Sequence, residues 1–203
     1  MEKKITLFIG GSVDKNMSLA YNSLATELGK KINERDYRII FDGCNGLPYL
    51  VFKEITDTSR STIWITKYYD NDYMYSTSSV VYTFDNQSDF TKAIPEASDA
   101  MIFMKGSMGT ITEIFHTIDS KKNKEHDKPI VILNVNNEWD DLINLLSSYD
   151  LNNLYYVTDN IIDALNHIEL ELYKESSSFY HYIKYGYIDK KRAPIIENAQ
   201  IKK

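Results

Sequence analysis

Five stretches of this chain are apolar at consecutive positions, not at alternate ones: KITLFIGG (4–11), YRIIFDG (37–43), STIWIT (61–66), DAMIFM (99–104) and KPIVILNV (128–135). A strand with one wet face alternates polar and apolar residues, whereas a continuous apolar strand needs cover on both faces. VVYTF (80–84) and LYYVT (154–158) add two shorter strands. Helical spacing fills the gaps between them except at KYYDNDYMYSTSS (67–79), which has no clear period and reads as a long loop. Leu19, Leu24, Leu28 and Ile32 share one side of 18–37, and Ile111, Ile114, Phe115 and Ile118 share one side of 109–124. Further helices are predicted over 47–58, over 86–98 with a break near Pro95, over 137–149, and over 159–172 with Asp159 as its cap. Alternation of such strands and helices predicts an α/β fold of three layers, a mostly parallel sheet with helices on both faces.

The chain has 203 residues, which fits one domain with trimmings. Residues 1–173 read as that domain and 174–203 as a C-terminal arm, aromatic and then basic over FYHYIKYGYI (179–188). The formal charge of −6 speaks against a nucleic-acid polymer as partner, since binders of phosphate backbones concentrate positive charge. Cys44 is the only cysteine, so no intrachain disulfide can form. No stretch approaches the roughly 18 apolar residues of a membrane span, and the first apolar run is too short for a signal peptide. The expectation is a cytoplasmic protein with no membrane partner.

Open parallel sheets take ligands at the carboxyl ends of their strands. Three predicted strand ends carry glycine turns: Gly10-Gly11-Ser12, Gly43-Cys44-Asn45-Gly46, and Gly106-Ser107-Met108-Gly109-Thr110. Glycines let backbone amides approach a ligand, and the following helix offers unpaired amides and a positive dipole end, a combination suited to phosphate. One such turn is usually only a turn; three at one edge point to a nucleotide cradle. None matches the dinucleotide G-x-G-x-x-G or the P-loop pattern.

The last turn, Lys105-Gly106-Ser107-Met108-Gly109-Thr110-Ile111-Thr112-Glu113, resembles the P-G-G-x-G-T-x-x-E hallmark of the lonely guy (LOG) family of phosphoribohydrolases, long labelled lysine decarboxylases. FIGGS (8–12), ELGKKINERDYRIIFDGCNGL (27–47), SDAMIFMKG (98–106) and KPIVILN (128–134) resemble its other segments in type and order. The resemblance spans about residues 4 to 170. It implies a Rossmann-like fold, usually a homodimer, without metal or organic cofactor. It further implies cleavage of a nucleoside 5′-monophosphate, purine-type, to free base and ribose 5-phosphate. Glu113 then becomes the catalytic residue, and Gly10, Gly11, Ser12, Gly43, Gly46, Gly106, Ser107, Gly109 and Thr110 the phosphate and nucleotide contacts. The family's Arg-Lys pair falls on Phe90 and Thr91. Lys92 and Lys105 are the candidates to replace that charge, although lysine lacks arginine's planar fork.

Glu113 has a second explanation. T-x-x-E is also a capping box, in which Thr110 and Glu113 would serve only the start of a helix. Glu113 and His116 could suggest a metal, but no second such pair appears. Cys44 reads as a small space-filling residue, and Asp42 equally as a ribose contact or a solvated turn acid. Tyr68, Tyr69, Tyr73 and Tyr75 could stack on a base or simply decorate a loop. Two other functions remain open: a nucleotide sensor that does not cleave, favoured by Phe90 and Thr91, and a relative of the deoxyribosyltransferases.

Overall fold

The computed structural model describes residues 4–14, 16–68 and 80–175. The described strands and helices run in this order: β1 (Thr6–Gly10), α1 (Leu19–Glu34), β2 (Arg38–Asp42), α2 (Leu47–Lys53), β3 (Ser61–Thr66), β4 (Val80–Phe84), α3 (Gln87–Ala97), β5 (Ala100–Phe103), α4 (Met108–Lys122), β6 (Ile130–Leu133), α5 (Asp140–Ser148), β7 (Tyr156–Thr158) and α6 (Ile161–Glu175). The seven strands form one sheet in the order β4-β3-β2-β1-β5-β6-β7, and every pairing is parallel. The expected three-layer α/β fold is therefore present, with a wholly parallel sheet.

The apolar runs divide by parity between two cores. Leu7, Ile9, Ile39, Phe41, Ile63, Ile65 and Ile102 face α1, α2 and α6, packing with Tyr21, Leu28, Val51 and Ile168. Phe8, Ile40, Trp64, Met101, Phe103, Ile130 and Ile132 face the opposite way, packing with Phe90 and Ile94 of α3, Ile114 and Ile118 of α4 and Leu146 of α5. Both faces of the central strands are dry, which is why those segments could not alternate. Val80, Val81 and Tyr82 of β4 are exposed, as a strand at the sheet's edge allows.

Local chemistry moves several boundaries. Pro95 lies inside α3 without ending it. The ammonium of Lys128 donates to the carbonyls of Pro95 and, at 2.6 Å, Ser98, placing a positive charge at the helix's negative end. The cap of α6 is Asn160, not Asp159: Asn160 Oδ1 accepts from the amides of Ile162 and Asp163 at 2.8 and 3.1 Å. The segment predicted as a helix over 47–58 closes at Lys53 and is followed by a short 3-10 turn, Thr58–Arg60.

One buried charge pair ties α6 to the turn between α1 and β2. Arg35 Nε lies 3.1 Å from Glu169 Oε1, the two side chains are 2% and 3% exposed, and Tyr37 donates its hydroxyl to the same oxygen. Removing one partner of such a pair strands the other charge. Glu169→Gln should lower unfolding free energy in urea by about 3 kcal/mol; a change below about 0.5 kcal/mol would show that the pair contributes nothing net.

Candidate active site

The strand order reverses between β1 and β5, so the crevice outside their carboxyl ends is the fold's natural ligand position. Three loops interlock there. The Ser12 amide donates to Lys105 O and the Met104 amide to Gly10 O, both at 2.9 Å, and Thr110 Oγ1 donates to Gly11 O at 3.2 Å. On the other side the Leu47 amide donates to Ser12 O at 2.9 Å, bringing in the β2–α2 turn. Gly46 makes this approach possible: its φ of +117° is open to glycine, and a methyl group there would lie 2.1 Å from Ser12 O.

The structure therefore separates the sequence-selected residues by task. Gly43 and Gly106 are closed in, with room for no methyl group beside Ile63 Cγ2 and Thr110 Oγ1 respectively. A methyl group on Gly11 would stand 3.4 Å from Leu47, Pro48 and Met104, a close fit. Ser12 spends its amide and carbonyl on the loops, and its hydroxyl accepts from the Asp14 amide at 3.0 Å. Ser107 and Gly109 face outward at the start of α4, and nothing stands within 4 Å of where a Gly109 side chain would begin. Among the described residues, no acceptor meets the amides of Met108, Gly109 and Thr110. An anion at this helix end would find free donors and a favourable dipole.

Glu113 stands one turn further along α4. The helix begins at Met108 with Ser107 as its cap residue, so Thr110 sits in the first turn and its hydroxyl is committed to Gly11. The capping box is absent. The Glu113 carboxyl instead lies over β1: a methyl group on Gly10 would stand 3.2 Å from Glu113 Oε2 and 2.5 Å from the Phe103 ring. Gly10 is bare because Glu113 and Phe103 occupy its place. Burial without a compensating cation pushes the Glu113 carboxyl up to about 8. Asp42, at the end of the neighbouring strand, is raised well above the carboxylate range by burial first and by the Glu113 charge second, with the Cys44 amide acting weakly the other way. The sequence weighed Asp42 equally as a ribose contact and as a solvated turn acid; the pairing of β1 with β2 puts it beside Glu113.

The positive charges expected here lie elsewhere or are engaged. Lys105 Nζ is 2.7 Å from Glu138 Oε2, and Glu138 also accepts from Ser18 Oγ at 3.2 Å. Lys92 is exposed and lines a separate groove with Pro95, His116, His126 and Lys128. Phe90 is buried against Phe8, Trp64 and Phe84, and Thr91 Oγ1 donates to Gln87 O at 2.8 Å. Of the arginines among the described residues, Arg35 and Arg60 precede β2 and β3 and Arg38 begins β2, all at the opposite edge of the sheet. Cys44 is buried, Tyr68 is exposed, and Tyr69, Tyr73 and Tyr75 lie outside the described residues. Among the described residues no three His, Cys, Asp or Glu side chains gather as a metal site, and no helix is long and apolar enough to cross a membrane. A roomier groove of about 730 Å³ runs between α1 and α2, lined by Asn22, Thr26, Lys30, Asn45 and Tyr49, but no buried titratable group faces it.

Comparison with known proteins gives the family and the fold. Residues 62–168 match the family described as possible lysine decarboxylase. A cytokinin riboside 5′-monophosphate phosphoribohydrolase of Arabidopsis thaliana is 26% identical over 147 residues, 71% of this chain and 67% of that protein. A probable enzyme of the same description from Oryza sativa is also 26% identical over 147 residues, which span only 58% of its length. Among solved structures, the molybdenum cofactor carrier protein of Chlamydomonas reinhardtii superposes with a TM-score of 0.67 at 16% identity, covering 84% of this chain and 99% of that one. The molybdenum cofactor binding protein of Rippkaea orientalis superposes with 0.65 at 17% identity, covering 83% and 98%. These two share the fold. The chain belongs to the lysine-decarboxylase-like, or LOG, family.

The raised carboxyl of Glu113 has a stability signature. Between an unfolded value near 4.5 and a folded value of about 8, the folded state holds the extra proton, so stability falls as pH rises through that window. Glu113→Gln should be more stable than wild type at pH 8 by about 2–4 kcal/mol in urea unfolding, with the gain gone at pH 4.5. A gain independent of pH would mean that Glu113 titrates normally.

Proposed function

We propose that this chain hydrolyses the N-glycosidic bond of a nucleoside 5′-monophosphate, releasing base and ribose 5-phosphate. The observation that carries the reading is the buried Glu113 carboxyl at the switch point, one helical turn beyond the open end of α4. The curated relatives carry names of this activity, which supports the reaction class and leaves the base unspecified.

The 5′-phosphate sits on the amides of Met108, Gly109 and Thr110 with the Ser107 hydroxyl beside it. Gly10, Gly11 and Ser12 form the floor, Gly106 lets Thr110 close the loop, and Gly43 and Gly46 shape the adjoining turn. Three residues of helix advance about 4.5 Å, which brings Glu113 from the phosphate to the anomeric carbon. As the C1′–N bond breaks, its electron pair leaves with the base and positive charge grows on the sugar. The Glu113 carboxylate stabilises that charge and takes a proton from the water that attacks C1′. The proton then passes to the departing base nitrogen, which restores the carboxylate. Lys105 is the nearest cation in sequence to the phosphate position, and it would have to leave Glu138 to contribute; Lys92 contributes only at long range. The working unit is a homodimer in the cytoplasm.

A second reading, binding without cleavage, is favoured by the place of Phe90. Its ring is packed into the core where the family resemblance expects an arginine, and no other arginine among the described residues stands at the ligand edge. The same fold serves a molybdenum cofactor carrier protein and a molybdenum cofactor binding protein.

Chromatography of purified protein with a panel of nucleoside 5′-monophosphates separates the two. Hydrolysis predicts free base and ribose 5-phosphate in equal amounts. It also predicts a loss of at least about 100-fold in Glu113→Gln and a kcat/KM that climbs with pH until about 8, where Glu113 is ionised. Saturable binding with the nucleotide recovered intact would replace hydrolysis by the carrier reading.

A further inference from the structure

The sheet register lines up four residues on the face that carries Glu113. Gly10 pairs with Phe103, Asp42 pairs with Trp64, and the Ile9–Phe41 pairing puts Gly10 next to Asp42. Phe8, Ile40, Trp64 and Phe103 of the same parity all point toward α3 and α4. The row therefore reads Trp64, Asp42, Gly10, Phe103 across the carboxyl ends of the strands. Glu113 covers Gly10, and Trp64, buried against Phe84 and Phe90, walls the far side of Asp42.

Asp42 is half-buried at the carboxyl end of β2, and its Oδ1, turned away from solvent, accepts no hydrogen bond. The other buried unpaired side-chain atoms among the described residues, on Arg60, Ser61 and Asn166, lie before or at the start of β3 and on α6, away from the ligand edge. A buried acceptor without a donor is unfavourable, and proteins tolerate one mainly where a ligand completes it. The position is also telling. An acid at the end of the second strand of an open α/β sheet is well placed to accept from a ribose hydroxyl. Here it adjoins the carboxyl assigned to the anomeric carbon, and the hydroxyl one bond from that carbon is the 2′-hydroxyl.

We propose that Asp42 is the specificity-determining residue of the site: its Oδ1 accepts from the 2′-hydroxyl of the bound sugar phosphate and makes the site selective for ribose over 2-deoxyribose. The inference rests on the nucleotide reading of the same site. It uses no property of the base, so it holds whether the chain cleaves its ligand or only carries it.

Calorimetric titration of the full chain with ribose 5-phosphate and with 2-deoxyribose 5-phosphate tests it without turnover. Wild type should bind the ribose form at least about 10-fold more tightly, as expected for a hydrogen bond to a buried carboxyl. Asp42→Ala should bring that ratio near one while leaving the affinity for the deoxy sugar within about twofold. Asp42→Leu keeps the branched shape of the side chain without an acceptor and gives the reading if the alanine variant does not fold; its ratio should also fall to near one. Equal binding of the two sugars by wild type, or a ratio unchanged in the variants, overturns the role of Asp42 and leaves the nucleotide site standing. Binding of neither sugar phosphate overturns both.

Discussion

A carboxyl group seated on the bare backbone of Gly10 is the contact from which the rest of the site follows. Glu113 can lie there only because β1 ends in a residue without a side chain and α4 starts close enough to bring its second turn over that strand. The start of α4 is fixed in turn by the loop bonds from Ser12 to Lys105 and from Thr110 to Gly11. Burial of the carboxyl lets it keep its proton at a pH where an exposed glutamate would not. Packing, loop geometry and acidity are thus one arrangement.

That arrangement separates the glycines of the three turns into two kinds. Most are closed in by neighbours: Gly46 by Ser12, Gly106 by Thr110, Gly43 by Ile63. They let loops touch loops. Gly109 alone among those compared borders open space, at the helix end where amides lack partners. A glycine-rich turn is read from sequence as a ligand cradle, yet in this chain most of its glycines serve the scaffold that holds the cradle together.

The layered fold was legible because a dry strand leaves a plain mark: ITLFI, RIIF, TIWI, AMIF and IVIL permit no alternation. Glu113 was legible through its motif, but its role was not, since T-x-x-E describes a cap as well as a site. The helix start at Met108 removes the cap reading. Asp42 was legible only as one of two equal readings. Its environment comes from the pairing of β2 with β1 and from a helix some seventy residues later in the chain, and no local pattern records that. Phe90 shows the same limit in reverse. A substitution that reads as a lost arginine is, in three dimensions, an aromatic added to the cluster of Phe8, Trp64 and Phe84. The cap at Asn160 and the Lys128 contact to α3 turn on single hydrogen bonds, below the resolution of periodicity.

The most direct test of the account is a crystal structure of Glu113→Gln with adenosine 5′-monophosphate bound. The account predicts phosphate oxygens on the amides at residues 108–110 and the ribose C1′ over Gly10, within hydrogen-bonding reach of the residue-113 amide through one water. A nucleotide lodged between α1 and α2, or one whose phosphate lies away from the start of α4, would contradict it.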